Sequence, residues 1–479
     1  SYDYKGRYLS EVNMRYDGTS RFRRGSRWQL SPSFSLGWNI AQEEFWKPIE
    51  NIANLLKVRF SYGELGNQNI NNWYPTYRTI SIGSLNGDWL QNGLSPNTSS
   101  VGGLINTALT WEKVRTWDVG VDYGLFNNRL TGSFDYFVRF TEGMVGPSAE
   151  LPATLGISTP SSNNSDLRTK GWEVSIGWKD RLKNGLGYGI NLSLSDQITM
   201  IDSYPDNKTL SIDSYLPGYK DGLIWGYETI GIAKSDEEMQ AHLASLPKGG
   251  QDAVGSQWAA GDIMYKDLNG DGKISEGART LGDHGDLKIL GDTYSHYFFG
   301  IDLNADWKGF DFRAFFQGVL KHDYWGSGNF TGMLFGVRGG YSRWHTRGFK
   351  QHEDYFRAEP AGLEGHELPA NLDSYYPRPI FSDSSDGTSF GAKNQKVQSR
   401  YVQDASYIRL KNLQFGYTLP AKFTNKFGIN RLRIFVSGEN VWTGTGLTKL
   451  FDPETISGGN GGNAYPLSRT WSFGLSLTL

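Results

Sequence analysis

The last twelve residues of the chain, Ser468–Leu479, alternate strictly between large apolar side chains and small or polar ones. The apolar set occupies the odd positions and consists of Trp471, Phe473, Leu475, Leu477 and Leu479. Because successive side chains of a β-strand point to opposite faces, this pattern gives one apolar face and one polar face. An α-helix would spread the same apolar groups around its circumference. The segment therefore predicts a β-strand that docks in a larger sheet.

The same two-residue period recurs in roughly twelve segments, many of them long enough to cross a bilayer at about 9–11 residues each. They are Tyr4–Tyr16, Trp28–Ile40, Val58–Tyr62, Trp117–Leu125, Leu130–Phe140, Trp172–Trp178, Tyr188–Leu194, Tyr297–Trp307, Phe310–Leu320, Ile408–Leu419, Leu432–Trp442 and Leu467–Leu479. In Ile408–Leu419 the period slips between Asn412 and Leu413, which predicts a β-bulge. Strands of soluble sheets usually run to about 5–6 residues, so strand length favours a transmembrane barrel over a soluble sandwich.

Two tryptophans indicate the height of the apolar band. Trp28 and Trp38 share a face, and at about 3.3 Å per residue and ~45° tilt they lie roughly 23 Å apart along the membrane normal. The apolar band of an outer-membrane barrel is about 25 Å tall. Hydrophobic residues make up only 38% of the chain and the mean hydropathy is -0.49, which fits strands that alternate. No run of about 18 apolar residues predicts a transmembrane helix.

The connections between the predicted strands alternate between tight and long. The tight ones are Asn127-Asn128, Lys183–Gly185, Lys308-Gly309 and the modest Ala421–Asn430. The long ones are Glu64–Arg115, Glu142–Lys170, Ile201–Ser295, His322–Asp404 and Thr443–Pro466. Outer-membrane barrels alternate short periplasmic turns with long external loops. We therefore expect every long connection to lie outside the cell.

Several segments, spread in order over the whole chain, carry a family resemblance. They include R-Y-D-G-T-S-R-F from Arg15, W-Q-L-S-P-S-F-S-L-G-W from Trp28, L-T-W-E-K-V-R-T-W-D-V-G from Leu109, A-S-Y-I-R-L-K-N-L-Q-F-G-Y-T-L-P from Ala405 and Y-P-L-S-R-T-W-S-F-G-L from Tyr465. The chain thereby resembles the SusC-type (SusC/RagA) TonB-dependent transporters in the outer membrane of Bacteroidetes-like Gram-negative bacteria. The resemblance implies an all-β, antiparallel transmembrane barrel. Residues 1–479 would supply the C-terminal ~12–14 strands of a 22-stranded barrel, with the N-terminal plug, TonB box and first strands absent from this chain.

The resemblance also implies a function and partners. We expect TonB-energised import of glycan oligosaccharides, with a SusD-like surface lipoprotein as a lid. TonB would be engaged through the N-terminal part, and outer-membrane lipids would surround the barrel. Two alternatives stay open: a peptide importer of the same family, and a passive barrel or adhesion scaffold. The sequence has no H-E-x-x-H, G-x-S-x-G or P-loop motif, so no catalytic residue is predicted, and its net charge of -2 does not favour nucleic acid.

One motif in the long Ile201–Ser295 connection has the spacing of a calcium loop. Positions 1, 3, 5, 7 and 9 are filled by Asp267, Asn269, Asp271, the Lys273 carbonyl and Ser275. Position 12 is Ala278 rather than a bidentate carboxylate, so Glu276 or Asp283 would have to substitute. A loop closed by Asx-turns without an ion is the alternative. The sequence leaves both open.

Aromatic residues in the long connections are candidate ligand contacts. The candidates are Trp73, Tyr74, Trp89, Trp325, Trp344 and Tyr376. Such rings stack on sugar faces or grip peptide side chains, but they also pack loops onto themselves. A capping box, Ser235 with Glu238, predicts a short helix in the Ile201–Ser295 connection, with Met239 on its apolar face.

Overall fold

The structure is a computed structural model that describes residues 1–68, 70, 72–84, 92–94, 97–148, 152, 154, 156–157, 159–326, 328–336, 348–380, 392–457 and 464–479. The chain divides into two compact units, one of Ser1–Asp180 with Ser193–Asp221 and one of Arg181–Leu192 with Gly222–Leu479. None of the helices in the described ranges is long and apolar enough to cross a membrane.

The first unit is built on a row of antiparallel strands. Its strands are β1 (Tyr2–Tyr4), β2 (Tyr8–Gly18), β3 (Trp28–Asn39), β4 (Ala53–Asn67), β5 (Ile80–Ser84), β6 (Asn97–Val101), β7 (Glu112–Leu125), β8 (Leu130–Pro147) and β9 (Ser161–Arg181, to Asp180 in this unit). The hydrogen-bonded order is β1-β2-β3-β4-β7-β8-β9, and β5 pairs with β6 in a separate hairpin. Short 3₁₀ turns cover Arg24–Ser26, Ile40–Gln42 and Glu44–Ile49.

The second unit combines a row of strands with helices and small sheets. Its elements are β11 (Leu223–Tyr227), β12 (Thr229–Ile232), α1 (Asp236–Ala244), β13 (Ile263–Tyr265), β14 (Leu287–Asp292), β15 (His296–Trp307), β16 (Phe310–Lys321), β17 (Asp323–Tyr324), α2 (Gly328–Phe335), β18 (Gln403–Asp404), β19 (Tyr407–Thr418), α3 (Ala421–Thr424), β20 (Arg431–Thr445) and β21 (Thr470–Thr478). The row is β15-β16-β19-β20-β21, whereas β11 pairs with β14, β12 with β13 and β17 with β18. Strand β10 (Gly187–Ser203) contributes residues to both units.

The main strands confirm the all-β architecture that the sequence predicts. Among the described residues, the rows of the two units together with β10 contain thirteen strands, which falls within the predicted range of about twelve to fourteen. The alternation is confirmed as well, because the apolar face of the strands is solvent-exposed rather than packed on a core. On that face Met14 is 73% exposed and Phe473 is 86% exposed. The rings of Tyr16 and Trp28 stack on it across β2 and β3 with their centroids 5.0 Å apart.

Tight turns are made where the sequence supplies residues for left-handed backbone. Lys308 and Gly309 have φ of 49° and 89° and join β15 to β16 between the paired residues Trp307 and Phe310. A two-residue turn with both φ values positive matches the twist of an antiparallel hairpin. Lys5 and Gly6 have the same combination, with φ of 57° and 67°. The single strand predicted from Tyr4 to Tyr16 is therefore wrong, because this turn divides it into β1 and β2.

Two further local predictions are confirmed. The pairing of β19 with both neighbours skips Lys411, so the bulge lies one residue before the predicted slip. Helix α1 begins after Ser235, whose Oγ accepts a hydrogen bond of 3.2 Å from the Glu238 N–H. Met239 on this helix is fully buried.

The buried cores lie in the connections rather than beneath the strands. In the first unit Phe22, Leu109 and Trp111 form a buried cluster, with Ile70 and Val145 packed against it. In the second unit the completely buried residues Ile263, Tyr265 and Ile274 belong to the β10–β15 connection. The long connections are therefore folded structures in their own right.

Candidate functional site

The long connections of the second unit fold together into what we call the loop assembly, residues 222–295, 348–380, 392–405 and 447–456. Backbone hydrogen bonds join the first of these segments to the second and the third. The Tyr227 N–H donates to the Val397 carbonyl over 2.9 Å, and the Arg378 N–H donates to the Gly261 carbonyl over 2.9 Å. Backbone hydrogen bonds therefore hold together segments that are more than a hundred residues apart in the sequence.

Asp262 is the polar centre of this assembly. Its carboxylate is fully buried and accepts hydrogen bonds from Arg378 at 2.8 Å through both oxygens, from the Lys393 ammonium at 2.7 Å and from the Asn394 amide at 2.9 Å. Lys393 also donates to the carbonyls of Ser256 and Gln257. Burial lowers the pKa of Lys393, and the neighbouring Asp262 opposes that shift. A buried charge needs such a full set of partners, so this network fixes the relative position of the two connections.

Tyr265 extends the polar centre. The Tyr265 hydroxyl donates to the Lys393 carbonyl over 2.5 Å, and its backbone N–H donates to the Gln251 side chain over 2.6 Å. Gln398 donates to the Asn394 carbonyl over 2.8 Å. Burial raises the pKa of the Tyr265 hydroxyl well above its usual value. The hydroxyl therefore stays protonated and acts as a structural donor rather than as a proton-transfer group.

A third connection is held by a buried arginine. Arg409 of β19 is almost completely buried and contacts both oxygens of Asp452, at 2.8 and 2.9 Å, and Glu454 at 2.7 Å. Lys411 contacts Glu454 as well, at 2.5 Å. These ion pairs fix the 447–456 segment onto the end of β19.

In the loop with calcium-loop spacing, residues 267–278, the carboxylate side chains accept hydrogen bonds from backbone N–H groups of the loop itself. Asp267 accepts from the N–H groups of Gly270 and Gly272 at 2.6 and 2.9 Å, and Asp271 accepts from Lys273 at 3.1 Å. Asp286 closes the loop from outside the motif, because its carboxylate accepts from Leu268 and Ser275, each at 2.8 Å. Burial raises the pKa of Asp286.

The two proposed substitutes for the twelfth ligand are engaged elsewhere. Asp283 accepts from the Ala278 N–H at 3.1 Å, and Glu276 pairs with Arg279 at 2.7 Å. Within the part of the chain that the structure describes, no three His, Asp or Glu side chains converge as a metal site. Asn269 caps the Asp271 N–H at 2.9 Å, while Lys273 and Ser275 follow in the same turn. Calcium binding at this loop stays a prediction.

The candidate ligand-binding aromatics fall into four groups, of which the buried Tyr376 forms the last. Trp73 and Tyr74 are 71% and 62% exposed in the β4–β7 connection, so both are open to a ligand. Trp325 is half-buried just after β17. Trp89 and Trp344 lie outside the described residues.

Tyr376 requires a correction, because the structure buries it. The ring is 4% exposed and lies parallel to Tyr401, with the centroids 6.4 Å apart. Tyr375 and Phe335 contact it edge-on at 4.8 and 6.3 Å. Tyr376 is therefore a core residue of the loop assembly, and a ring-rich loop sequence does not distinguish this role from ligand contact.

The polar face of the strands carries ion pairs that the sequence analysis missed. In the first unit Arg59 contacts Asp122 at 2.8 Å and Asp135 at 2.9 Å. A side chain at Gly120 would collide with this pair, because its Cβ would lie 2.3 Å from the Asp135 carboxylate and 2.8 Å from the Arg59 guanidinium. Glycine at this position thus leaves room for the ion pair on the sheet surface.

The second unit repeats the arrangement. Arg433 pairs with Asp311 at 2.5 Å, and a Cβ at Gly416 would lie 2.6 Å from both side chains. Arg313 pairs with Asp302 at 2.6 Å on the neighbouring strands. The signal in the sequence is Arg and Asp on the polar phase of adjacent strands. It becomes specific only when the register is known.

Comparisons with known proteins agree with this architecture. The family described as TonB dependent receptor-like, beta-barrel matches residues 1–221. The TonB-dependent receptor P3 of Formosa agariphila is 29% identical over all of this chain, which covers 44% of that receptor. The TonB-dependent receptor SusC of Bacteroides thetaiotaomicron is 24% identical over all of this chain and is covered to 43%.

Solved structures share the fold. The RagAB peptide transporter superposes with a TM-score of 0.69 at 20% identity over 98% of this chain and 46% of that chain. Its 'open-open' state gives 0.67 at 20% identity over all of this chain and 46% of that chain. The chain thus spans less than half the length of these relatives. Residues 1–221 thus match the TonB-dependent receptor β-barrel family, and the whole chain is similar to part of TonB-dependent receptors that include SusC. The strand architecture is that of the solved RagAB structures.

Proposed function

We propose that this chain forms part of the barrel wall of an outer-membrane, TonB-dependent importer. The observation that carries the proposal is the division of the strands into two unlike faces. One face exposes large apolar side chains such as Met14 and Phe473, and the other bears paired charges such as Arg59 with Asp122. An apolar band facing lipid around a polar interior is the arrangement of transmembrane barrels with an aqueous lumen.

The proposed substrates are oligosaccharides. Exposed rings in the external connections, Trp73 and Tyr74, provide flat apolar surfaces that suit the faces of sugar rings. A peptide substrate is the second candidate, and the observation favouring it is the fold similarity to a peptide transporter. The two candidates use the same barrel and differ in what the external connections recognise.

The proposed partners follow from the relatives and from the loop assembly. A SusD-like lipoprotein would cover the external connections, and TonB would act through a part of the protein outside this chain. The loop assembly supports a lid because its buried network around Asp262 makes the external connections a firm platform. A rigid surface binds a partner at a lower entropic cost than mobile loops do.

A gene deletion in the source bacterium tests this function. We expect strains lacking the full-length gene to lose growth on particular purified polysaccharides, and strains lacking TonB activity to share that defect. Loss of growth on peptides alone would instead support the peptide importer. Uptake that continues without TonB activity would support a passive barrel and contradict active import.

A further inference from the structure

The external connections of the first unit carry five arginines that have no acidic partner among the described residues. They are Arg21, Arg23, Arg24, Arg27 and Arg78, in the β2–β3 and β4–β7 connections. The described residues of these connections, 19–27 and 68–111 with the gaps given above, include no Asp or Glu. None of the five arginines forms an ion pair with a described residue, whereas the strand arginines Arg59 and Arg115 pair with carboxylates. Within the described part of these connections, no carboxylate compensates this positive charge.

Neutral groups hold two of these arginines in place. The Arg21 guanidinium lies 4.5 Å from the Trp73 ring centroid, and that of Arg23 lies 4.2 Å from the Tyr77 ring centroid. Arg21 also donates to the Gln68 carbonyl at 2.8 Å, and Arg23 donates to the Thr76 carbonyl at 2.8 Å. Carbonyls and aromatic faces orient a guanidinium without cancelling its charge. The Nε of Arg23 is buried and has no hydrogen-bond partner among the described residues.

A cavity of about 220 Å³ adjoins these side chains. Tyr77 and Arg78 line it together with the hydroxyl and amide side chains of Asn72, Thr79 and Asn106. The Ile70 carbonyl, which accepts a hydrogen bond of 2.9 Å from Arg21, belongs to another lining residue. The cavity, Arg21, Arg23 and Arg78 are therefore joined by contacts. Together with Arg24 and Arg27 of the same β2–β3 connection, we call them the basic loop surface.

We propose that the basic loop surface binds the anionic groups of an oligosaccharide that bears sulfates or carboxylates. This inference rests on the proposed importer function and names its substrate class. Guanidinium groups bind such oxyanions through charge-assisted, often bidentate hydrogen bonds. The exposed rings of Trp73 and Tyr74 stack on the sugars between the anionic groups, and the amides and hydroxyls of the cavity bind sugar hydroxyls.

Two other anionic ligands fit the surface less well. A lipid with a phosphate headgroup needs a long apolar groove for its acyl chains, but this cavity holds only about 220 Å³, and its lining mixes apolar residues such as Ile105 and Leu109 with polar ones such as Asn72 and Thr79. An acidic peptide would also pair with the arginines, but most of its side chains lack the flat apolar face that a sugar ring offers to Trp73 and Tyr74. Both ligands are separate outcomes of the test below.

The test measures binding to the full-length receptor that contains this chain, purified in detergent, by isothermal titration calorimetry. The probes are a heparin-derived hexasaccharide, an oligogalacturonate hexamer, neutral maltohexaose and hexaglutamate. The variant is the double substitution Arg24→Gln with Arg78→Gln, because both side chains are exposed and neither lies in a buried core. The matched control is Arg129→Gln, an exposed arginine that pairs with Asp180 at 3.5 Å.

We expect at least one anionic hexasaccharide to bind the wild type more tightly than maltohexaose does. The double variant should weaken that binding by about tenfold or more, since each charge-assisted hydrogen bond contributes on that order. Arg129→Gln should leave the affinity unchanged. Raising the salt concentration should weaken the wild type more than the double variant.

Several results would overturn the inference. It fails if neither anionic sugar binds, or if the double variant binds as the wild type does. Equal or tighter binding of hexaglutamate, lost in the double variant, would assign the surface to acidic peptides. Co-purifying phospholipid or lipopolysaccharide phosphate that only the double variant loses, without anionic-sugar binding, would assign it to lipid. A receptor that fails these tests but still supports TonB-dependent growth on a neutral glycan retains the importer function, so the two failures are distinguishable.

Discussion

The Lys393 ammonium lies 2.7 Å from an Asp262 carboxylate oxygen, and both side chains are completely buried although they are 131 positions apart. One residue belongs to the β10–β15 connection and the other to the β16–β19 connection. Removing one partner from a buried, hydrogen-bonded pair leaves an uncompensated charge. We therefore expect the loop assembly to be sensitive to the loss of either partner.

Asp262→Asn should loosen both connections together. The variant leaves the Lys393 charge without its counterion, which costs about 3–5 kcal/mol in comparable buried pairs. We expect faster amide hydrogen exchange at residues 259–265 and 392–398 of the full-length protein. Asp373→Asn is the control, because Asp373 pairs with Lys234 on the exposed surface. Unchanged exchange at both segments in Asp262→Asn would show that the pair does not hold the assembly.

The sequence predicts the strands well because the evidence for them is local. A two-residue period needs only neighbouring positions, and it identifies β21 and the exposed face of Phe473 directly. The loop assembly depends on partners more than a hundred residues apart, and Asp262 lies in no recognisable motif. Tyr376 shows the same limit, because only the fold reveals that Tyr401 covers its ring.

The calcium prediction is tested by chelation. If an ion binds, Asp271→Ala should lower the protease resistance of the β10–β15 connection and remove its sensitivity to chelator. Asp286→Asn should lower the resistance in either case, because Asp286 accepts from the Leu268 and Ser275 N–H groups. Wild-type protein that is indifferent to chelator, with unchanged digestion of Asp271→Ala, would favour the ion-free turn.

His322 gives the loop assembly a pH dependence. Burial lowers its pKa, although the carboxylates of Asp323, Asp404 and Asp292 oppose the shift. Its neutral ring lies 3.3 Å from the Ser457 hydroxyl, next to Tyr324. Because the unfolded state binds the proton more readily, this contribution to stability is complete above the ordinary histidine pKa of about 6.5. It falls as the pH drops from there towards the folded-state pKa.

The measurement is amide exchange at residues 447–457 between pH 7.5 and pH 5, corrected for the intrinsic rate. We expect protection to decrease on acidification in the wild type and to change less in His322→Gln. An equal pH response of the two proteins would show that His322 does not cause the pH dependence.

The last strand, β21, allows a test of how deep its apolar residues lie in the membrane. Leu475 and Leu477 are 63% and 46% exposed on the apolar face and pair with Ile434 and Leu432 of β20. Leu477 lies nearer the short β19–β20 connection, so Leu475 lies deeper in the apolar band. A cation there costs about 2–4 kcal/mol at the bilayer midplane and little near an interface.

Leu475→Arg should therefore reduce heat-modifiable, membrane-inserted barrel more than Leu477→Arg does. Ser472→Arg should have the smallest effect, because Ser472 lies on the polar face opposite Ser437. Equal losses for both leucine variants would indicate a packed core, and the largest loss for Ser472→Arg would invert the assignment of the faces.

The central claim, that this chain lines an outer-membrane barrel with its long connections outside, is tested most directly by cysteine labelling of intact cells. The chain has no native cysteine, so Glu364→Cys in the β16–β19 connection and Asn184→Cys in the tight turn before β10 each add one exposed thiol to it. A membrane-impermeant maleimide should label Glu364→Cys on intact cells and should label Asn184→Cys only after the outer membrane is permeabilised. Labelling of Asn184→Cys on intact cells, with Glu364→Cys protected, would contradict the topology and the importer that depends on it.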